Sequence, residues 1–243
     1  MSTSHRSTFV CHNRILAALP PAEYEPLVPD LERVDLPHGR VLIEATLPIA
    51  HVYFPESGVV SLVVPLLEGG AVEAGLVGRE GLVGLPVALG GSTMSTRAIV
   101  QIVGGAVRMP ASAFKDAFDH LTTLEHLVLG YTHAFSIQVA QTAACNRVHA
   151  ASARLCRWLL MCQDRMASPA LALTHEFLGQ MLGVRRAGVT IAVGELETVG
   201  LISQSRARLH ILDRARLEAA ACECYRVVKE EFDRLPESGA ETA

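Results

Sequence analysis

The sequence predicts an α+β protein: a β-rich N-terminal half, one long helix, and a C-terminal winged helix. Three observations carry that prediction. Residues 34 to 110 are short apolar runs separated by Gly, Pro and Ser, and from Ala111 onward the apolar spacing changes to threes and fours. Residues 174 to 212 then pass through a glycine turn, an arginine-led helix and two short apolar strands. A chain of 243 residues has room for one large or two modest domains.

The β-rich part comes first. The runs VLIEA, HVYFP, GVVSLVV, AVEAGLVG and RAIVQIV are each long enough for one strand, and strands this short and numerous build a sandwich or barrel. Glycines 58, 69, 70, 78, 81, 84, 90 and 91 supply turns between them. No strand, glycine turn and helix follow in that order, which excludes a dinucleotide-binding loop.

Leu121, Leu124, Val128, Tyr131, Phe135, Gln138 and Thr142 then mark one face of a long amphipathic helix. That face either lies on the chain's own β-domain or packs against a second copy, and its width favours the homodimer. A second helix, within VHAASARLCRWLLMCQDRM, turns Ala150, Leu155, Trp158, Leu159 and Cys162 inward and stops at Ser168-Pro169. The expected domains are therefore 1–147 and 148–243.

In the third part Thr174 is a candidate N-cap for a helix that buries Phe177, Leu178, Met181 and Leu182, and Gly183 closes it. The next helix, from Arg185 to about Val199, buries Val189, Ala192, Val193, Leu196 and Val199, leaving Arg185, Arg186, Gly188 and Thr190 on the opposite face. Arginines suit guanine edges and phosphates, small residues allow close backbone approach, and threonine offers a hydroxyl and a methyl to a base. The strands around SQSRAR form a wing that carries Arg206 and Arg208 toward the sugar-phosphate backbone.

Charge supports the same reading. The net charge of -4 argues against general affinity for nucleic acid, yet residues 148 to 214 hold 8 basic and 5 acidic residues, every basic one an arginine. Residues 1 to 147 hold 9 and 13, so the basic block is local. No apolar run is long enough for a membrane span and the first residues have no signal-peptide core, so a cytoplasmic protein is expected. The six cysteines are scattered apart from Cys222-x-Cys224, which has no second pair or His near it in sequence. Reduced thiols are expected there, and no metal site. No nucleophile elbow, zinc-site spacing or phosphate loop suggests an enzyme, and no catalytic residue is assigned.

The stretch LTHEFLGQMLGVRRAGVTIAVGELETVGLIS resembles the helix-turn-helix of the Crp/Fnr family of bacterial transcription regulators, and the order of parts is similar over nearly the whole chain. The resemblance implies an antiparallel, jelly-roll-like β-roll of the cyclic-nucleotide-binding type, dimerisation through the long helix, and binding at a two-fold symmetric DNA site. It puts the DNA-facing positions on Arg185, Arg186, Ala187, Gly188, Thr190 and Ile191. Well-known members present a Glu and later an Arg for base contacts where this chain has Ala187 and Ile191, so its target sequence differs.

The resemblance also implies an effector site on Gly78, Arg79, Glu80, Gly81 and Arg97. Ala98 replaces the serine that cyclic-AMP binders place after that arginine, and the spacing is stretched, so cyclic AMP is not the expected ligand. Iron-sulfur members carry N-terminal cysteines, of which only Cys11 is present, and His12, His38 and His51 make no haem signature. The cofactor is left unknown. Expected partners are double-stranded DNA, a second copy, RNA polymerase and a small effector. The alternative is an interaction module whose winged helix contacts protein instead of DNA.

Overall fold

Strong β-formers in the N-terminal half pair into two antiparallel sheets, and the elements that follow are helices and one small third sheet. The computed structural model describes residues 11–67, 70–166, 170–172, 175–205 and 208–236. In chain order the elements are α1 (Arg14–Ala17), α2 (Pro21–Tyr24), β1 (Glu32–Leu36), β2 (Val41–Ile43), β3 (His51–Pro55), β4 (Val59–Pro65), β5 (Ala71–Val77), β6 (Arg97–Ile102) and β7 (Gly104–Pro110). There follow α3 (Ala111–His120), α4 (Thr122–Val148), α5 (Ala151–Asp164), β8 (Ala170–Ala172), α6 (His175–Leu182), α7 (Arg186–Thr198), β9 (Ile202–Ser205), β10 (Arg208–Ile211), α8 (Arg214–Ala220) and α9 (Cys224–Asp233).

One sheet has the order β1-β7-β3 and the other β2-β6-β4-β5, the arrangement of the expected β-roll. Residues 59 to 63 of β4 are all buried because β5 and β6 flank the strand and both of its faces are covered. Two strands are illegible in the sequence. In β1, Glu32, Arg33 and Asp35 hide the period behind charge on an edge strand, while β7 begins with two glycines. A bidentate contact of Arg108 with Glu32 ties the two together, at 2.8 and 2.9 Å.

The long helix, α4, is preceded by a shorter one, α3. Leu121 adopts extended backbone (φ −107°, ψ 104°) and separates α3 from α4. The carboxylate of Glu23, about a hundred residues earlier, caps α4 by accepting from Thr123 N (3.2 Å), Thr123 Oγ1 (2.7 Å) and Leu124 N (3.2 Å). A cap supplied from that far away leaves no local signal.

The predicted seam faces inward. Leu124, Val128, Tyr131, Gln138 and Thr142 are buried within the single chain, where α4 packs on β5 and α9, and Phe135 is half-buried. The reading that favoured a second copy on this face is corrected: the β-domain already occupies it. What α4 leaves exposed is another face with Leu129, His133, Ser136, Ala140 and Ala143.

Helix α5 is also more enclosed than a one-faced helix. Every residue from Arg154 to Cys162 is buried, because β5, α7, α8 and α9 surround it. Ala150, expected inside, is its exposed N-cap. The helix stops at Asp164, ahead of the expected Ser168-Pro169, which lies outside the described residues. Among the described residues no helix is long and apolar enough to cross a membrane.

Candidate nucleic-acid interface

Helices α6 and α7 form the turn expected from the sequence. Leu178, Met181 and Leu182 of α6 are buried, and half-buried Phe177 packs edge-on against Trp158 at 6.0 Å between ring centres. Gly183 has φ +59°, in the left-handed region where glycine is favoured, and the chain closes on itself through Val184 N donating to Gly179 O at 3.0 Å. Extended Arg185 then begins α7.

The helix divides as its sequence predicts, with one exception. Val189, Ala192, Val193 and Leu196 are buried, whereas Val199 is 51% exposed, because the helix has ended at Thr198 and the chain turns away through Gly200. Arg185, Arg186, Ala187, Thr190 and Ile191 are exposed and Gly188 is half-buried. No side chain caps this N-terminus, and among the described residues neither Arg185 nor Arg186 forms an ion pair. Two exposed guanidiniums, without an ion pair among the described residues, make an anion-attracting surface at the positive end of a helix.

Thr190 is less available than its sequence position suggests. Its hydroxyl donates to Arg186 O at 3.2 Å and lies 3.1 Å from His175 Nδ1, which leaves chiefly its methyl to offer. His175 Nε2 in turn lies 2.9 Å from Gln204 Oε1, and Gln204 N donates to Glu197 Oε1 at 2.7 Å. His175 thus links α6, α7 and β9. No local pattern signals this role, because the three partners are distant in the chain.

The wing is a three-stranded sheet, β8-β10-β9, whose first strand the sequence did not reveal. Arg208 is exposed at the start of β10, opposite Ser205. Thr174 and Arg206 lie outside the described residues.

The five residues assigned to an effector are not brought together. Gly78, Glu80 and Gly81 are buried, with Glu80 Oε1 2.7 Å from Arg165 Nε and accepting from Gly78 N at 3.1 Å. Arg79 is exposed. Arg97, on β6, donates to Glu44 Oε1 at 2.8 Å, which holds the Glu44 carboxyl below the usual range.

A cleft of about 410 Å³ opens instead between the roll and α4, lined by Leu62, Leu85, Met94, Tyr131, Phe135 and Val139 among others. Thr93, Ser95 and Thr96 add hydroxyls, and none of its described lining residues is charged.

Thiols and an imidazole converge elsewhere. Cys145, His149, Cys222 and Cys224 hold their ligand atoms within 4.8 Å of one another at the end of α4. The expectation that the Cys222/Cys224 pair lacks further ligands is corrected: the fold supplies a third thiol and the histidine from another helix.

A β-roll, a long helix and a winged helix follow one another along the chain. Residues 153–220 match the Crp-like helix-turn-helix domain. Solved structures with the same fold include FixK2 from Bradyrhizobium japonicum, with a TM-score of 0.68 and 17% identity over 79% of this chain and 98% of that one. A CRP-family transcriptional regulator from Thermus thermophilus gives 0.66 and 21% over 78% and 96%, and a putative crp/fnr-family regulator from Eubacterium rectale gives 0.66 and 17% over 83% and 94%. At these identities the likeness is one of fold. Comparison of the sequence with curated proteins yields no match. The chain thus carries a Crp-like helix-turn-helix domain within a fold that it shares with these regulators.

Proposed function

We propose that the protein is a homodimer in the cytoplasm that binds a palindromic DNA site, inserting α7 of each copy into the major groove. The observation that carries this reading is the division of α7: an apolar side fixed on α5 and α6, and an exposed side led by two arginines. Arg185 and Arg186 reach guanine edges or phosphates, Gly188 permits close approach, and the Thr190 methyl and 64%-exposed Ile191 meet thymine methyls. Arg208 holds the backbone, as Arg206 and Thr174 would from their places in the sequence. The exposed face of α4, with Leu129, His133, Ser136, Ala140 and Ala143, joins the two copies. Residues 1–147 form the sensor and 148–243 the DNA-binding domain.

The effector belongs in the cleft between the roll and α4 rather than on Arg97. Its apolar lining and hydroxyls suit a small, largely apolar molecule with a few hydrogen-bonding groups. Tyr131, Phe135 and Val139 belong to α4, so a ligand there bears directly on the helix that pairs the two copies. A small change in that pairing resets the separation of the two α7 helices, which two-fold docking needs at about 34 Å, and with it the access of RNA polymerase to the promoter.

Selection of genomic fragments by the purified protein, with and without small molecules from cell extract, tests both parts. An enriched palindrome supports DNA readout, and its dependence on extract supports a sensing cleft. Protein that remains dimeric yet enriches no sequence in either condition overturns the DNA reading and favours the interaction module.

A further inference from the structure

We propose that Cys145, His149, Cys222 and Cys224 form a four-ligand site for a zinc ion, which staples the end of the long helix to the segment between α8 and α9. The ligand atoms lie within 4.8 Å of one another. Cys145 Sγ is 3.4 Å from Cys222 Sγ, and Cys224 Sγ is 3.7 Å from His149 Nδ1. Tetrahedral zinc with Zn–S near 2.3 Å requires ligand atoms roughly 3.5–3.8 Å apart. The four groups need only small side-chain rotations to surround one ion.

The surroundings have the second layer that such sites use. His149 turns Nδ1 toward the thiols while its Nε2 lies 3.2 Å from Glu223 Oε1, so the carboxylate fixes the ring and leaves Nδ1 as the donor atom. All three cysteines are buried. Soft thiolates with one imidazole select zinc over hard cations, and four protein ligands leave no open position, which marks a structural site and not a catalytic one.

The local charge is of the right sign. Three thiolates and one imidazole around a divalent ion carry one net negative charge, and binding releases the thiol protons to solvent. Arg154 and Arg157 are both buried beside the cluster, and among the described residues neither pairs with a carboxylate. Arg157 donates to Thr142 Oγ1 at 3.1 Å and Arg154 to Asn146 Oδ1 at 2.9 Å, but each Nε has no partner. Buried cations need a counter-charge, and the thiolate cluster supplies one.

Position gives the site its consequence. His149 and Ala150 are the extended link between α4 and α5, and Cys222 comes from 77 residues further along the chain than Cys145. An ion held there fixes that link.

The test uses the full-length reduced protein, stripped of metal and titrated with cobalt(II) as a spectroscopic substitute for zinc. One equivalent should bind with thiolate-to-cobalt charge-transfer absorption and the intense visible bands of tetrahedral cobalt, and zinc should displace it. Cys224→Ser and His149→Ala should abolish stoichiometric uptake, Glu223→Gln should weaken it about 10- to 100-fold, and Cys11→Ser, remote from the cluster, should leave it unchanged. Absence of these bands in the wild-type protein overturns the proposal whether or not the variants fold. So does equal uptake by every variant, or a Cys145–Cys222 disulfide whose reduction restores no metal binding.

Discussion

Glu80 and Arg165 form a buried ion pair that joins the β-roll to the end of α5, with Arg165 Nε donating to Glu80 Oε1 at 2.7 Å. The same guanidinium donates to Met161 O at 2.9 Å and to Gln138 Oε1 on α4 at 3.1 Å, and lies 5.0 Å from the centre of the Phe232 ring on α9. One side chain therefore links the roll, α4, α5 and α9. Removing either member leaves the other charged and buried, so Arg165→Ala or Glu80→Ala should each cost about 3–5 kcal/mol in denaturant unfolding. Arg165→Met combined with Glu80→Leu should recover much of that loss; a double variant as unstable as the sum of the singles would show that packing, and not charge, holds these elements together.

Glu73 makes the second link and is the pH-sensitive one. It accepts from Ser61 Oγ at 2.7 Å and from Trp158 Nε1 on α5 at 2.9 Å, and burial raises its pKa from 4.5 to about 7 despite those donors. A carboxyl whose folded pKa is raised holds its proton more tightly in the folded state. Its contribution to stability is fully present below pH 4.5 and declines as pH rises toward 7. Glu73→Gln should flatten the stability profile across that window, which thermal melts at several pH values would reveal. An unchanged profile would mean Glu73 titrates normally.

On α7, Arg186→Ala should weaken binding to the selected palindrome and relax base preference, each bidentate contact being worth about 1–3 kcal/mol. Arg208→Ala should weaken specific and non-specific DNA about equally and reduce the salt slope by about 1. Fluorescence anisotropy across a salt series separates the two effects. A sequence-selective loss at Arg208 would place the wing in a groove.

Gly81 is a packing requirement. A Cβ there would lie 2.1 Å from Cε2 of Tyr131, which is buried on α4. Gly81→Ala should destabilise by about 1–3 kcal/mol. It should also alter the cleft that Tyr131 lines, so effector response and stability should change together; wild-type stability would show that α4 can slide on the roll.

Much of this is legible along the chain because the signals are local. Gly183 before an arginine pair, apolar Val189, Ala192, Val193 and Leu196 at helical spacing, and short runs between glycines specify a turn, a recognition helix and strands without reference to anything distant. The family motif in residues 173–203 adds its weight at the same place. What could not be read was which face of an amphipathic helix meets which neighbour. The residues Leu124 to Thr142 spell out an apolar face, but only the packed chain shows that β5 and α9 already cover it.

The candidate sites divide in the same way. Arg185, Arg186 and Arg208 are exposed as the pattern implies, whereas His175 acquires its role from Thr190 and Gln204, and Cys222 and Cys224 acquire theirs from Cys145 and His149. Glu80 and Arg97, expected in one effector site from the family resemblance, instead pair with separate buried and surface partners, Arg165 and Glu44. Local sequence set most of the elements, their order and the identity of the arginine-led helix, since hydrophobic period, glycine turns and proline act over a few residues. Long-range packing chose the partners of each buried charge, the free face of α4 and the meeting of three thiols with an imidazole, since those depend on contacts between residues tens of positions apart.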